Sequence, residues 1–309
     1  MKHLKKILLC TTVIGSMAGA RAQQEIMVSQ YMFNGLFLNP AYAGTHAFGD
    51  LSLLHRAQWT GIHGAPRTSM LAWDLPLMNN KMGAGFTVVH DVIGVTRDLQ
   101  MDGIYSYHLR MGQGHLAFGL KAGLSVYSAK LTDLTYWDAG DQVFANDIKN
   151  QLIAKFGFGM YYYEQFGYIG LSVPTLYAAD EAITADVENA MEHYFSRHYY
   201  LNAGRVFPIN EYFDLKPSTL IKFEPHAPIE VDLNLNVLYK ERFWFGAGYR
   251  TGDAVVGMLE YKVNQMLRAG YAYDLTTSEL NAYSRGSHEV MLSLDLGRDP
   301  IKIKTPRYF

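Results

Sequence analysis

The sequence predicts an all-β fold: an antiparallel outer-membrane β-barrel of about 14 strands (12–16), with an N-terminal non-barrel segment packed in or near its lumen. Three observations predict it. Apolar and polar residues alternate with period two along most of the chain, far from a helical period of 3.6. The chain begins with an export signal. The composition is poor in charge (18%) yet near neutral in mean hydropathy (-0.06), with 22 Tyr and 28 Gly among 309 residues. A strand with one face in lipid and the other in a polar lumen averages to this profile.

The elements follow in chain order. Lys2, Lys5 and Lys6 form a basic start, Ile7 to Ile14 a short apolar stretch, and Ala20-Arg21-Ala22 a small-residue cleavage site. Residues 1–22 therefore read as a signal peptide. The apolar stretch is far shorter than the ~20 residues a helical span needs. Cys10 leaves with this leader, and a cysteine-free exported chain suits the bacterial envelope. Of 27 basic residues four lie in the leader, so 23 remain against 29 acidic ones, a net charge of -6. Residues 23–47 lack clean alternation and are rich in Tyr, Phe and Asn; they are expected to form a plug inside the barrel or a layer along its periplasmic rim, or else an extra edge strand that seals the barrel. Residues 48–309 form the barrel.

The clearest strand runs from Ile229 to Tyr239, with Ile229, Val231, Leu233, Leu235, Val237 and Tyr239 on one face and Glu230, Asp232, Asn234 and Asn236 on the other. Residues 98–110 and 115–128 repeat the pattern. Weaker versions fall near 50–60, 67–75, 82–93, 152–163, 166–173, 198–207, 213–223, 243–250, 254–262, 266–274 and 288–296. Short turns such as Asn79-Asn80, Gly112-Gln113-Gly114 and Lys240-Glu241-Arg242 separate many of them. Long connections, near 129–150, 174–197 and 275–287, belong on the outside of the cell. Within them, Ala178 to Met191 reads as a short acidic helix, and Asp138, Asp141 and Asp147 as oxygen ligands open to Ca²⁺, without EF-hand spacing. Tyr and Trp near segment ends, among them Trp59, Trp73, Tyr105, Tyr199 and Tyr271, fit interfacial girdles.

Charges on the polar parity, including Lys121, Lys155, Arg205, Lys222, Glu230, Asp232, Arg250, Glu260, Lys262, Arg268 and Asp274, have mixed signs. Such a set predicts an internally paired, mostly blocked lumen rather than an ion-selective ring. A sequence pI near 6.6 and no basic run beyond the leader give nucleic acid no footing. No G-x-S-x-G, H-E-x-x-H, P-loop or Cys/His metal spacing occurs. The chain is expected not to be an enzyme and to need no cofactor.

Residues 29–44 read Ser-Gln-Tyr-Met-Phe-Asn-Gly-Leu-Phe-Leu-Asn-Pro-Ala-Tyr-Ala-Gly, and residues 55–66 read His-Arg-Ala-Gln-Trp-Thr-Gly-Ile-His-Gly-Ala-Pro. With Leu75-Pro76-Leu77, Gly83-Ala84-Gly85 and Asp91-Val92-Ile93-Gly94, these blocks resemble the PorP/SprF family of outer-membrane proteins from type IX secretion systems. The resemblance covers essentially the whole mature chain. It implies a Bacteroidetes outer-membrane protein serving protein export and surface attachment, often tied to gliding motility. The implied partners are periplasmic ring proteins of the secretion system, a secreted adhesin with a type-B C-terminal signal domain, and outer-membrane lipid or lipopolysaccharide. It also implies that Gln30, Tyr31, Asn34, Asn39, Pro40, Tyr42, Gly44, Arg56, Gln58, Trp59, Gly64 and Pro66 bind a partner or build the plug. Tyr308 and Phe309 resemble the terminal signal read during barrel assembly. The competing expectation is a channel for a small or hydrophobic solute, gated by the N-terminal segment.

Overall fold

Polar side chains point inward and apolar ones outward, the reverse of a soluble protein, and this inversion organises the whole chain. The computed structural model describes residues 26–133, 146–179, 197–225 and 227–296. The expected signal peptide, Asp138, Asp141, most of the acidic stretch after Ala179, and Tyr308 and Phe309 lie outside the described residues. In the strand Glu230–Tyr239, Asp232, Asn234 and Asn236 are buried, whereas Leu233 and Leu235 are 55% and 48% exposed. An open apolar face around an enclosed polar one is stable where the surroundings are hydrocarbon and every backbone group is paired laterally.

The strands are β1 (Gly49–Ala57), β2 (Arg67–Leu77), β3 (Met82–Ile93), β4 (Thr96–Met111), β5 (Gly114–Ala129), β6 (Ile148–Tyr163), β7 (Gly167–Ala179) and β8 (Tyr199–Arg205). They continue with β9 (Phe207–Pro208), β10 (Phe213–Phe223), β11 (Glu230–Tyr239), β12 (Phe243–Arg250), β13 (Ala254–Lys262), β14 (Leu267–Thr276) and β15 (Ser287–Leu296). All pair antiparallel with their neighbours, and β15 closes on β1 from Gly49 opposite Leu296 to Ala57 opposite His288. The two-residue β9 meets β10 in the same register as β8, with only Val206 between them, so β8 and β9 act as one strand and the barrel has fourteen walls. Ala178 lies in β7, so the acidic stretch begins later than its sequence pattern suggested.

Connection lengths orient the barrel. At one end the turns 78–81, 112–113, 164–166, 209–212, 240–242 and 263–266 are all short. At the other, 94–95, 224–229 and 251–253 are short or moderate but 58–66, 130–147, 180–198 and 277–286 are long, and the long loops mark the extracellular end. β1 starts and β15 stops at the periplasmic end. Closure there is testable, because the Ser52 and Ser293 hydroxyls of β1 and β15 meet at 2.7 Å inside the lumen. Ser52→Cys with Ser293→Cys should form a disulfide that keeps the heated barrel compact on an oxidising gel; failure to cross-link would reject this register.

Residues 26–47 fill the lumen. Every residue from Met27 to Leu36 and from Leu38 to His46 is buried. Met27, Val28, Tyr31, Met32, Phe33 and Leu38 join wall residues Met70, Val89, Leu238, Trp244 and Met291 in one apolar cluster. Leu36, Ala41, Tyr42 and Ala43 join Ile104, Ala117, Tyr161 and Tyr168 in a second. The enclosed core is thus made by the plug, not by the strands alone.

Candidate functional site

The plug starts near the extracellular end of the lumen. The backbone N–H groups of Ser29 and Gln30 each donate at 2.8 Å to the Glu289 carboxylate of β15, and the Ser29 hydroxyl donates at 2.8 Å to Asp274 of β14. Arg56 of β1 binds both carboxylates, at 2.7 Å to Asp274 and 3.1 Å to Glu289, and donates to the Ser29 hydroxyl at 3.0 Å. Arg250 of β12 bridges Asp232, Asp253 and Asp274 at 3.1, 3.1 and 3.4 Å. All of these charges except the half-buried Asp253 are buried; such ions persist only when paired and hydrogen-bonded, as they are here.

From this anchor the chain descends. The Tyr31 hydroxyl accepts from Asn234 at 2.7 Å, and the Met32 carbonyl accepts from the Lys216 ammonium at 2.9 Å. That ammonium also lies 5.6 Å from the ring centres of Phe33 and Trp244, a cation–π box. Two single-turn 3₁₀ helices then floor the periplasmic end. Asn34 caps Gly35–Phe37 by accepting from Leu36 N–H, and its amide donates to Asp50 at 3.3 Å. Asn39 caps Pro40–Tyr42 in the same way, with Pro at the first position, where a missing N–H costs nothing. The Asn39 amide donates to the carbonyls of Met160 at 2.9 Å and Leu171 at 3.3 Å. The Ala43 carbonyl accepts from Ser106 at 2.6 Å, and Gly44 N–H donates to Asp74 at 2.7 Å. The Tyr42 hydroxyl contacts His46 at 3.0 Å while its ring stands edge-on to Tyr161.

The wall is cut to receive this floor. A Cβ at Gly119 would overlap the backbone of Pro40 and Ala41, one at Gly159 the Asn39 side chain, and one at Gly83 the Ala43 carbonyl. Gly44 itself adopts φ +70° against Gly83, a left-handed conformation that favours glycine. The wall charges also pair with each other: Lys121 with Asp102 at 3.3 Å, Lys155 with Asp98 at 3.6 Å, and Arg268 with Asp50, Glu260 and Asp295 at 3.3, 3.5 and 3.7 Å. The expected internally paired, obstructed lumen is what the structure holds.

A profile described as "Type IX secretion system membrane protein PorP/SprF" matches residues 20–294. The chain belongs to the PorP/SprF family. It is accordingly an outer-membrane component of type IX secretion, and its closed barrel fits that location. Among curated proteins none matches. Solved structures similar to this PorP/SprF chain include Omp33 of Acinetobacter baumannii, at 9% identity and TM-score 0.47, covering 82% of this chain and 99% of that one. Another is the toluene transporter TbuX of Ralstonia pickettii, at 8% identity and TM-score 0.48, with 86% and 93% covered. A third is outer membrane phospholipase A of Escherichia coli, at 9% identity and TM-score 0.39, with 80% and 94% covered.

The family blocks divide in the fold. Gln30, Tyr31, Asn34, Asn39, Pro40, Tyr42 and Gly44 all lie in the plug, and Arg56 holds it. Gln58, Trp59, Gly64 and Pro66 do not. β1 ends at Ala57, Gln58 N–H bonds the Pro66 carbonyl at 3.0 Å, and the loop between them turns through φ +45° at Trp59 and +73° at Gly64. Gln58 thus extends the β1–β2 register by one residue, at the base of an extracellular loop. Arg205 is a correction to the expected lumenal set. Tyr200 and Asn202 are the inward residues of β8, so Arg205 points outward, 60% exposed, and pairs with Glu164 at 3.8 Å. Asp147 is half-buried at the edge of an extracellular loop; the Thr132 hydroxyl and N–H hold its carboxyl below the usual range. Sequence reading missed Ser29, Glu289 and the seat glycines. The inward parity of β15 signalled Glu289, but nothing local signalled which glycines lie under the plug.

Proposed function

We propose that this chain acts through its surfaces, as an outer-membrane dock that holds periplasmic ring components of type IX secretion, a secreted type-B-signal adhesin, or both, and performs no chemistry of its own. The observation that carries this reading is the filled lumen. Residues 27–46 touch walls all round the barrel, and their polar atoms are bonded to it from Ser29 to Gly44. A lumen occupied in this way offers no path for a solute and leaves the rims and loops to do the work. Family membership supplies the class of partner. Cross-linking and pull-down from native envelopes test the proposal: recovery of ring components or an adhesin signal domain supports it, and recovery of neither sinks it. A gated solute channel gains no support from the buried ion pairs of the wall, which would line any hydrophobic path with charge. In planar bilayers the purified protein should show no steady conductance; a large stable one would favour the channel.

A further inference from the structure

The lipid-facing side is not uniformly apolar. On β15, β1, β2, β3 and β4 the outward positions carry residues such as Leu292, Leu53, Leu71, Val88 and Met101 through most of the span. Within about three residues of the extracellular end they change to His288, His55, Arg67 with Ser69, His90 and Arg97. Strand register sets these side by side. His55 faces Ser69, and Ser69 faces His90; Arg67 faces Val92, and Val92 faces Arg97. The two guanidinium-bearing residues are thus two strand spacings apart, roughly 9–10 Å between backbones. His55 Nδ1 lies 2.9 Å from the Ser69 hydroxyl, which fixes its ring and leaves the other nitrogen outward. The His288 ring is held by the Tyr271 hydroxyl at 2.7 Å.

Among the described residues no carboxylate pairs with Arg67 or Arg97. Asp50, Asp74, Asp91, Asp98, Asp102 and Glu289 of the same strands are all buried on the lumenal side, and Asp295 is taken by Arg268. Arg67 and Arg97 are exposed, and among the described residues neither has an ion pair. The opposite arc lacks this pattern: the outward residues at its extracellular end, Phe223, Tyr249, Val255 and Leu275, are 44%, 49%, 44% and 49% exposed and uncharged. A charged residue on the lipid face of a barrel is costly at the midplane and nearly free at the interface, where an anion can reach it.

We propose that this arc binds a phosphorylated glycolipid of the outer leaflet, lipopolysaccharide. Arg67 and Arg97 take its phosphates through charge-assisted hydrogen bonds. His55, Ser69 and His90 meet the sugar and ester oxygens, and the apolar column below carries the acyl chains. The inference is independent of the docking reading, since it concerns the lipid-facing side of the wall and not the rims and loops.

The experiment uses the full-length protein purified from outer membranes in mild detergent. Native mass spectrometry counts retained glycolipid, and heat-modifiable gel mobility confirms that the barrel is folded. The wild type should keep lipopolysaccharide, and R67Q/R97Q should bind it about thirtyfold more weakly, since each basic side chain near an anionic surface is worth about fivefold. K240Q, on a periplasmic turn, should keep wild-type retention. Added back to delipidated protein, enzymatically dephosphorylated glycolipid and phosphatidylglycerol should both bind less than the native glycolipid. Equal retention by folded R67Q/R97Q, or equal binding of the dephosphorylated form, would overturn the proposal.

Discussion

Arg56→Ala is expected to destabilise the folded barrel by about 3–5 kcal/mol, the cost of leaving a buried charge pair with one partner. Arg56 is 2% exposed and joins three groups at once: Asp274, Glu289 and the plug's Ser29. Its removal strands the Glu289 carboxylate in the closed lumen and leaves Asp274 only one cation, Arg250, at 3.4 Å. It also loosens Ser29 and Gln30, whose N–H groups depend on the position of Glu289. Denaturant titration in detergent micelles, followed by gel mobility of the folded form, measures the loss. The charge argument has a second arm. Arg56→Met combined with Asp274→Asn and Glu289→Gln removes the stranded charges and should recover a substantial part of the stability. A loss below about 1 kcal/mol in Arg56→Ala, within the range of an ordinary exposed ion pair, would show that the cluster does not hold the plug.

The strands were legible because two-sided burial writes itself into parity. Asp232, Asn234 and Asn236 alternate with Leu233 and Leu235 in the sequence, and they alternate between lumen and lipid in the fold. Parity fails where both neighbours have the same character. Tyr199 faces out and Tyr200 faces in, so the pattern of β8 gives no direction, and Arg205 was read on the wrong side. The lack of alternation in residues 23–47 set that segment apart from the strands without choosing between a plug, a rim layer and a sealing edge. Its attachment was not readable, since Ser29 meets Glu289 across 260 positions and no local pattern encodes that meeting. The same holds for the glycines. Gly119, Gly159 and Gly257 look alike in sequence, but two lie under the plug and one faces open space.

That last contrast supplies the sharpest test of what the plug does. Gly119→Val should open the lumen while leaving the barrel closed. Valine suits a strand, and the partners of β5 on β4 and β6 are unaffected by a side chain on its inner face. The new side chain would occupy the space of Pro40 and Ala41, and a well-packed site resists such insertion at a cost of typically 1–3 kcal/mol. The seated floor is held chiefly by bonds of the Asn39 and Gly44 kind, each worth roughly 0.5–1.5 kcal/mol net, so displacing one turn of it is within reach of that strain. The expected result is steady conductance in planar bilayers where the wild type has none, with residues 26–46 newly open to protease. Gly257→Val faces lipid, has nothing within 4 Å, and should change neither measurement. A folded Gly119→Val protein that stays non-conducting and protease-resistant would mean that the floor yields around the insertion, and that the seal rests on the Arg56 anchor instead. The two substitutions therefore divide the plug between its ends: Arg56→Ala acts on the extracellular anchor through charge, and Gly119→Val on the periplasmic floor through shape.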